Sequence, residues 1–185
     1  NLPEKFLFYP AQFWYHKNHI RLIKALEYIK RRLKTEIPLV LSGAPKENFK
    51  KVMNLIKGLK MEHQVIYSGY VSRVEIAALY KKSAALVYPS LFGPTNIPPL
   101  EAMVLGTPVA CSNIFSMPKQ LGNAGLLFNP FSVKDMAEKI YLMWTDEGLR
   151  KELTAKGYEQ VKDISLENYA KKWENVIGEA LAEFN

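Results

Sequence analysis

The sequence predicts an α/β fold: a doubly wound, Rossmann-like parallel sheet of about six strands, with helices on both faces and a helical C-terminal segment. Three observations predict it. Short apolar runs alternate along the chain with longer segments of helical period. Most of those runs are apolar at successive positions, as strands buried on both faces of a parallel sheet are. At 185 residues, 48% hydrophobic and 12% aromatic, the chain has material for a single packed core.

The expected strands are Phe6 to Tyr9, Pro38 to Gly43, Gln64 to Ser68, Ala84 to Tyr88, Thr107 to Cys111 and Gly125 to Phe128. Between the first two, Asn18 is placed to cap a helix whose buried stripe is Ile20, Ile23, Leu26, Ile29 and Leu33. Phe49, Met53, Ile56 and Leu59 mark a second helix. Ser72 with Glu75 forms a capping box before Ile76, Leu79 and Tyr80, and Ser132 with Asp135 approximates another before a helix ending near Trp144. From Glu147 to Asn185 the pattern is helical throughout. Without internal repeats or a linker, residues 1–185 read as one domain, and six such strands require right-handed crossovers with ligands beyond the strands' carboxyl ends. A chain that starts without methionine and enters an apolar strand within five residues reads as a piece of a longer protein.

Several function classes are disfavoured. The net charge of +7 raises the question of an anionic partner, but the basic residues interleave with apolar ones at helical spacing, which describes solvated helix faces better than a nucleic-acid surface. No run of roughly 18 uncharged apolar residues reads as a membrane span. The single cysteine, Cys111, excludes an internal disulfide, and no Asn-x-Ser/Thr acceptor is present, so a cytoplasmic location is expected. There is no G-x-G-x-x-G after the first strand and no phosphate-binding G-x-x-x-x-G-K-[ST]. His16 and His19 share a segment without a third ligand, so no metal site is expected and they read as polar loop or helix-start residues.

The informative stretch runs from Tyr88 to Val109. A buried strand ends at Tyr88, an irregular loop follows, and Pro98-Pro99 prepares a helix that closes at Gly106. The amides of Thr95, Asn96 and Ile97 then lie at or just before a helix N-terminus, where unpaired N–H groups and the helix dipole favour phosphate. Glu101, one turn inside, can project to the same mouth and accept hydrogen bonds from a pair of sugar hydroxyls. The residues alone leave open a plainer reading, a capped connecting helix with a surface glutamate.

Pro89, Ser90, Pro99, Leu100, Glu101, Ala102, Met103, Gly106, Pro108 and Val109 fall in a frame that resembles the signature of the group 1, or family 4, glycosyltransferases of GT-B fold. The resemblance extends in order over nearly the whole chain, through Phe8-Tyr9-Pro10 to Lys17-Asn18, Leu41-Ser42-Gly43, Ser68 to Ser72 and Ala124 to Pro130. It implies the C-terminal, nucleotide-sugar-binding domain of such an enzyme, with the N-terminal acceptor domain absent from this chain. It implies that Glu101 holds the ribose hydroxyls of a UDP-, GDP- or ADP-sugar and that Lys17 is the cation over the diphosphate, and these two are the residues on which catalysis is placed. Thr95, Asn96 and Ile97 would supply amides to the diphosphate, Gly69, Tyr70 and Val71 would border the base, and Gly43 would leave room for close backbone approach. The parent enzyme would transfer a hexose to a glycan or lipid-linked acceptor with retention and without a metal or other cofactor, while this domain alone would bind donor without completing transfer. Contact of the parent with the inner face of the cytoplasmic membrane is an analogy from the basic surface and common lipid-linked acceptors.

The departures matter. Gly93 stands where the family carries its first glutamate, which contacts the transferred sugar. It is kept among the donor-binding positions, with Thr95 and Asn96 offering replacement polar contacts. Gln12 replaces the phosphate-binding arginine, and Lys119 stands where relatives often carry an acid. Alternatives are half of a sugar-nucleotide epimerase, a non-catalytic nucleotide-sugar module and, on charge alone, a nucleic-acid-binding domain.

Overall fold

The computed structural model describes residues 2–93 and 96–183. Six parallel strands form one sheet: β1 (Leu7–Pro10), β2 (Leu39–Ser42), β3 (Val65–Tyr67), β4 (Ala85–Tyr88), β5 (Val109–Ser112) and β6 (Gly125–Phe128), in the order β3-β2-β1-β4-β5-β6. Each is where an apolar run was expected. β1, β2, β4 and β5 are buried along their whole length, because helices cover both faces. Leu7 to Pro10 of β1 lie in register with Leu39 to Ser42 of β2. β1 meets β4 only through Leu7–Ala85 and Phe8–Leu86, so the two strands splay apart toward their carboxyl ends.

The helices are α1 (His19–Leu33), α2 (Phe49–Gly58), α3 (Arg73–Lys82), α4 (Ile97–Val104), α5 (Met117–Leu121), α6 (Val133–Thr145), α7 (Glu147–Val161) and α8 (Leu166–Glu183). α1 packs on α6, and α4 on α7. The stripe of α1 is buried through Ile23, Leu26 and Ile29, whereas Ile20 is only partly buried and Leu33, in the last turn, is exposed. α3 carries the complete Ser72–Glu75 capping box, and Ser132 accepts from the Asp135 amide to begin α6. The helical C-terminal pattern forms two helices, α7 and α8, with a break around 162–165. α8 has no buried residue, and Leu166, Tyr169, Trp173, Ile177 and Leu181 are all exposed on it. No helix among the described residues is long and apolar enough to cross a membrane.

Candidate functional site

In a doubly wound sheet the ligand crevice lies beyond the carboxyl ends of the two strands at which the chain changes direction. Here that point lies between β1 and β4, and its shoulders are the segment leaving β1, 11–18, and the segment leaving β4, 89–93, with Asn96 at the start of α4.

The β1 shoulder is tightly built. A single 3-10 turn, Tyr15–Lys17, carries the chain toward α1, and the Lys17 carbonyl accepts a 2.6 Å hydrogen bond from the Tyr9 hydroxyl. Asn18 follows at φ 58°, a left-handed conformation that asparagine tolerates better than most residues. Its side chain makes no cap bond to α1, contrary to the sequence expectation. It is instead buried, donating to the carbonyls of Pro89 at 3.0 Å and Pro130 at 2.9 Å, which ties β1's exit to the loops after β4 and β6. His19 is a helix-start residue as expected, yet it is not on a polar surface: it is fully buried and stacked on Phe13, centroids 4.3 Å apart. Burial pushes its pKa down to about 3 against the opposing pull of the Ala11 backbone, the Lys17 charge adding to the fall, and among the described residues neither ring nitrogen has a hydrogen-bond partner of good geometry. Among the described residues no cluster of three or more His, Cys, Asp or Glu is placed to hold a metal ion.

Lys17 is half-buried and directs Nζ to the Tyr88 hydroxyl, 3.1 Å away, with the ring centroid at 5.5 Å. Burial lowers its pKa, and no carboxylate among the described residues opposes that shift. A partly desolvated ammonium without a counter-ion is a site waiting for an anion. Gln12, in the place of the expected arginine, is exposed and accepts from Trp14 Nε1 at 2.8 Å.

The α4 shoulder is more open. Pro98 and Pro99 occupy the first turn of α4 and carry no N–H, so the helix end offers the amides of Asn96 and Ile97. Ile97 is 61% exposed. Asn96 is buried, and its side chain donates to the Gly93 carbonyl at 2.9 Å. A Cβ on Gly93 would run into the Asn96 side chain, and Gly93 holds φ 154°. Thr95 lies outside the described residues. Gln120 of α5 donates to the Asn96 carbonyl at 2.7 Å, supporting the helix start from behind.

Glu101 is exposed, and its Oε2 accepts from the Tyr80 hydroxyl at 2.8 Å. Tyr80 is 1% exposed, braced edge-on against Phe8 at 5.1 Å. Its pKa is raised by burial and then by the Glu101 carboxylate, so the hydroxyl stays a donor. Tyr80 also feels Tyr88, the partner of Lys17. Lys17 and Glu101 are thus each held by a tyrosine hydroxyl, Tyr88 for the lysine and Tyr80 for the carboxylate. Sequence reading missed both, because an aromatic ending a strand or a helix looks like core.

The remaining expected residues lie along the same edge of the sheet. Gly43 ends β2 at φ 142°, and the close approach it permits is by the chain's own backbone: a Cβ there would run into the Ala11 carbonyl. Its N–H donates to the Gly69 carbonyl at 2.9 Å, locking the ends of β2 and β3 together. Gly69, Tyr70 and Val71 follow β3, two strands from the β1/β4 gap, with Tyr70 82% exposed and Val71 partly buried.

Fold and site together define a Rossmann-like α/β domain with a half-buried lysine on the segment leaving one switch-point strand and a helix N-terminus on the segment leaving the other. A family model described as "Glycosyl transferases group 1" matches residues 1–160. The chain belongs to that family. It is similar to O-antigen chain mannosyltransferase B of Escherichia coli, 34% identical over 152 residues that make 82% of this chain and 40% of that protein. The chain therefore spans about two fifths of that relative's length. Its fold is similar to that of Anabaena Alr3699/HepE in complex with UDP and glucose, at TM-score 0.84 and 16% identity over 95% of this chain and 49% of the other. It is also similar to the C-terminal domain of a group 1 family protein, LpcC, from Francisella tularensis, at TM-score 0.75 and 22% identity, covering 87% of this chain and 86% of that one. At these identities the likeness is one of fold.

Proposed function

We propose that this chain is the donor-binding domain of a glycosyltransferase that moves a hexose from a nucleoside diphosphate to a glycan or lipid-linked acceptor. Membership in the family and a mannosyltransferase relative support the reaction class, and the solved neighbour holding UDP and glucose supports the ligand class. The observation that carries the reading is the half-buried Lys17 ammonium, unopposed by any described carboxylate and fixed on Tyr88 at the switch point.

Breaking a sugar–phosphate bond builds negative charge on the departing diphosphate and positive charge on the sugar. Lys17 Nζ and the amides of Asn96 and Ile97 stabilise the former, in a crevice whose low dielectric strengthens each contact. Glu101 keeps one carboxylate oxygen on Tyr80 and turns the rest of its lone pairs to two adjacent ribose hydroxyls. On this reading the diphosphate's charge is met by the lysine and the helix end, and the reaction needs no metal. Gln12 takes no part, and the acceptor is held by the remainder of the longer protein.

Calorimetric titration with UDP, GDP and ADP and their hexose conjugates tests this. One base should bind, and Lys17→Ala and Glu101→Ala should each weaken it about tenfold or more, the scale of a lost charge-assisted hydrogen bond. Equal affinities for all three proteins would refute the assignment.

A further inference from the structure

Beside the crevice stands a feature that packing alone does not explain. Phe92 and Phe115 are 55% and 62% exposed, and their rings meet edge to face with centroids 5.5 Å apart. The His16 ring, one residue before Lys17, stands at right angles to Phe92 at 6.2 Å. Phe115 adopts φ 54°, a left-handed conformation that its Cβ disfavours and that a bulky residue seldom holds without cause. A strained backbone that displays a large apolar ring to water gains nothing from burial, and such outliers gather where a ligand is gripped.

The ridge is anchored to both shoulders of the crevice. Leu91 N–H donates to the His16 carbonyl at 2.7 Å, and Ser90 Oγ donates to the Phe92 carbonyl at 2.8 Å, so Phe92 is held against the segment carrying Lys17. Phe115 precedes α5, whose Gln120 supports the Asn96 carbonyl. Phe92 therefore sits between Gly93, which leaves no carboxylate for sugar hydroxyls, and the ring of His16, the residue before Lys17, with Phe115 against its edge. A pyranose has hydroxyls around its rim but a face of C–H bonds, and aromatic rings offer an apolar surface to match it.

Building on the donor-site reading, we propose that Phe92 and Phe115 form a stacking ridge for a hexopyranose ring, either the one being transferred or the one receiving it. Recognition of the sugar's apolar face takes over the work that a carboxylate at position 93 would do through hydroxyls.

The test compares the wild-type chain with Phe92→Ala and Phe115→Gly. Calorimetry of UDP against UDP-glucose and of GDP against GDP-mannose reads the donor's ring, and saturation-transfer NMR with methyl α-mannoside and mannobiose reads an acceptor's. Wild type should prefer a conjugate over its bare diphosphate, or saturate mannoside ring protons. Each variant should cut that signal about fivefold, the scale of burying one face of a six-membered ring, and leave diphosphate affinity unchanged. Phe115→Gly should melt no lower than wild type, since glycine takes this φ freely. The ridge is overturned if wild type shows neither signal, if both variants behave as wild type, or if Phe115→Gly unfolds and so exposes the ring as a structural prop. Saccharide binding that depends on both rings, in a chain that binds no nucleoside diphosphate, would remove the donor-site reading and leave the ridge in place.

Discussion

On the β1 shoulder of the crevice the residues beside Lys17, Asn18 and His19, are buried and tied to three other loops or rings, whereas on the α4 shoulder Asn96 is buried but Ile97 and Glu101 face water. The difference follows from what each shoulder presents. A lysine has four rotatable bonds and a strongly hydrated charge, so placing Nζ requires a rigid base and a fixed contact, here Tyr88. Helix α4 presents backbone amides whose directions its own geometry sets, and it needs only a support behind Asn96. Rigidity is concentrated where side-chain freedom is greatest. If that is right, damage to the β1 shoulder should cost folding stability, and damage to the α4 shoulder should cost binding with the fold intact.

The largest expected effect is acid lability from His19. Its folded pKa of about 3 lies below the ordinary value of 6.5. The buried neutral ring therefore contributes its full stability above pH 6.5, and that stability drains as the pH falls toward 3 while the unfolded chain takes up the proton. The slope approaches roughly 1.4 kcal/mol per pH unit, about 5 kcal/mol over the whole window. Urea unfolding at pH 7 and pH 4 should show about 3 kcal/mol of this loss in wild type and much less in His19→Leu. Equal pH dependence in the two proteins would mean that the imidazole is more accessible to water than the fold implies.

Asn18→Ala should come next. It strands the Pro89 and Pro130 carbonyls and puts a Cβ-bearing residue without asparagine's tolerance at φ 58°. Two buried acceptors left without partners cost about 3 kcal/mol together, or a melting point lower by roughly 6–12 °C in a chain of this size. Asn18→Gly separates the contributions, because it removes the hydrogen bonds while relaxing the backbone. A loss as large as alanine's would assign the whole effect to the two carbonyls, and a loss near zero would break the contrast between the shoulders.

Much of this architecture was legible beforehand. The six strands were readable because parallel strands buried on both faces leave continuous apolar runs, and α3 because Ser72 and Glu75 announce its start. α5 was not foreseen: five residues with Pro118 inside them are too short to show a period. Lys17 could be named only because it sits in a familiar frame, whereas Glu101 also stood out one turn inside the helix that Pro98-Pro99 prepares. The tyrosines that aim them could not, since Tyr80 and Tyr88 become partners of charged groups through contacts spanning 21 and 71 residues of sequence. The same holds for Asn18, which local sequence marks as a cap and tertiary packing uses as a clamp. Nothing in the letters around Phe115 signals its left-handed backbone.

The smallest expected effect lies on the α4 shoulder and tests the contrast from its other side. Tyr80→Phe removes one hydroxyl while the ring keeps its contact with Phe8, so the melting point should move little. What changes is Glu101. Freed from its 2.8 Å hydrogen bond, the exposed carboxylate samples more rotamers and must be ordered by the ligand itself. The expected cost is about 1 kcal/mol in affinity for the preferred nucleoside diphosphate, and almost none for its 2′,3′-dideoxy analogue, which has no hydroxyls for Glu101 to accept from. A structural defect would weaken both ligands alike. In a double-mutant cycle, Tyr80→Phe should add nothing once Glu101→Ala is present, because a residue that acts only through another has no effect when that other is gone.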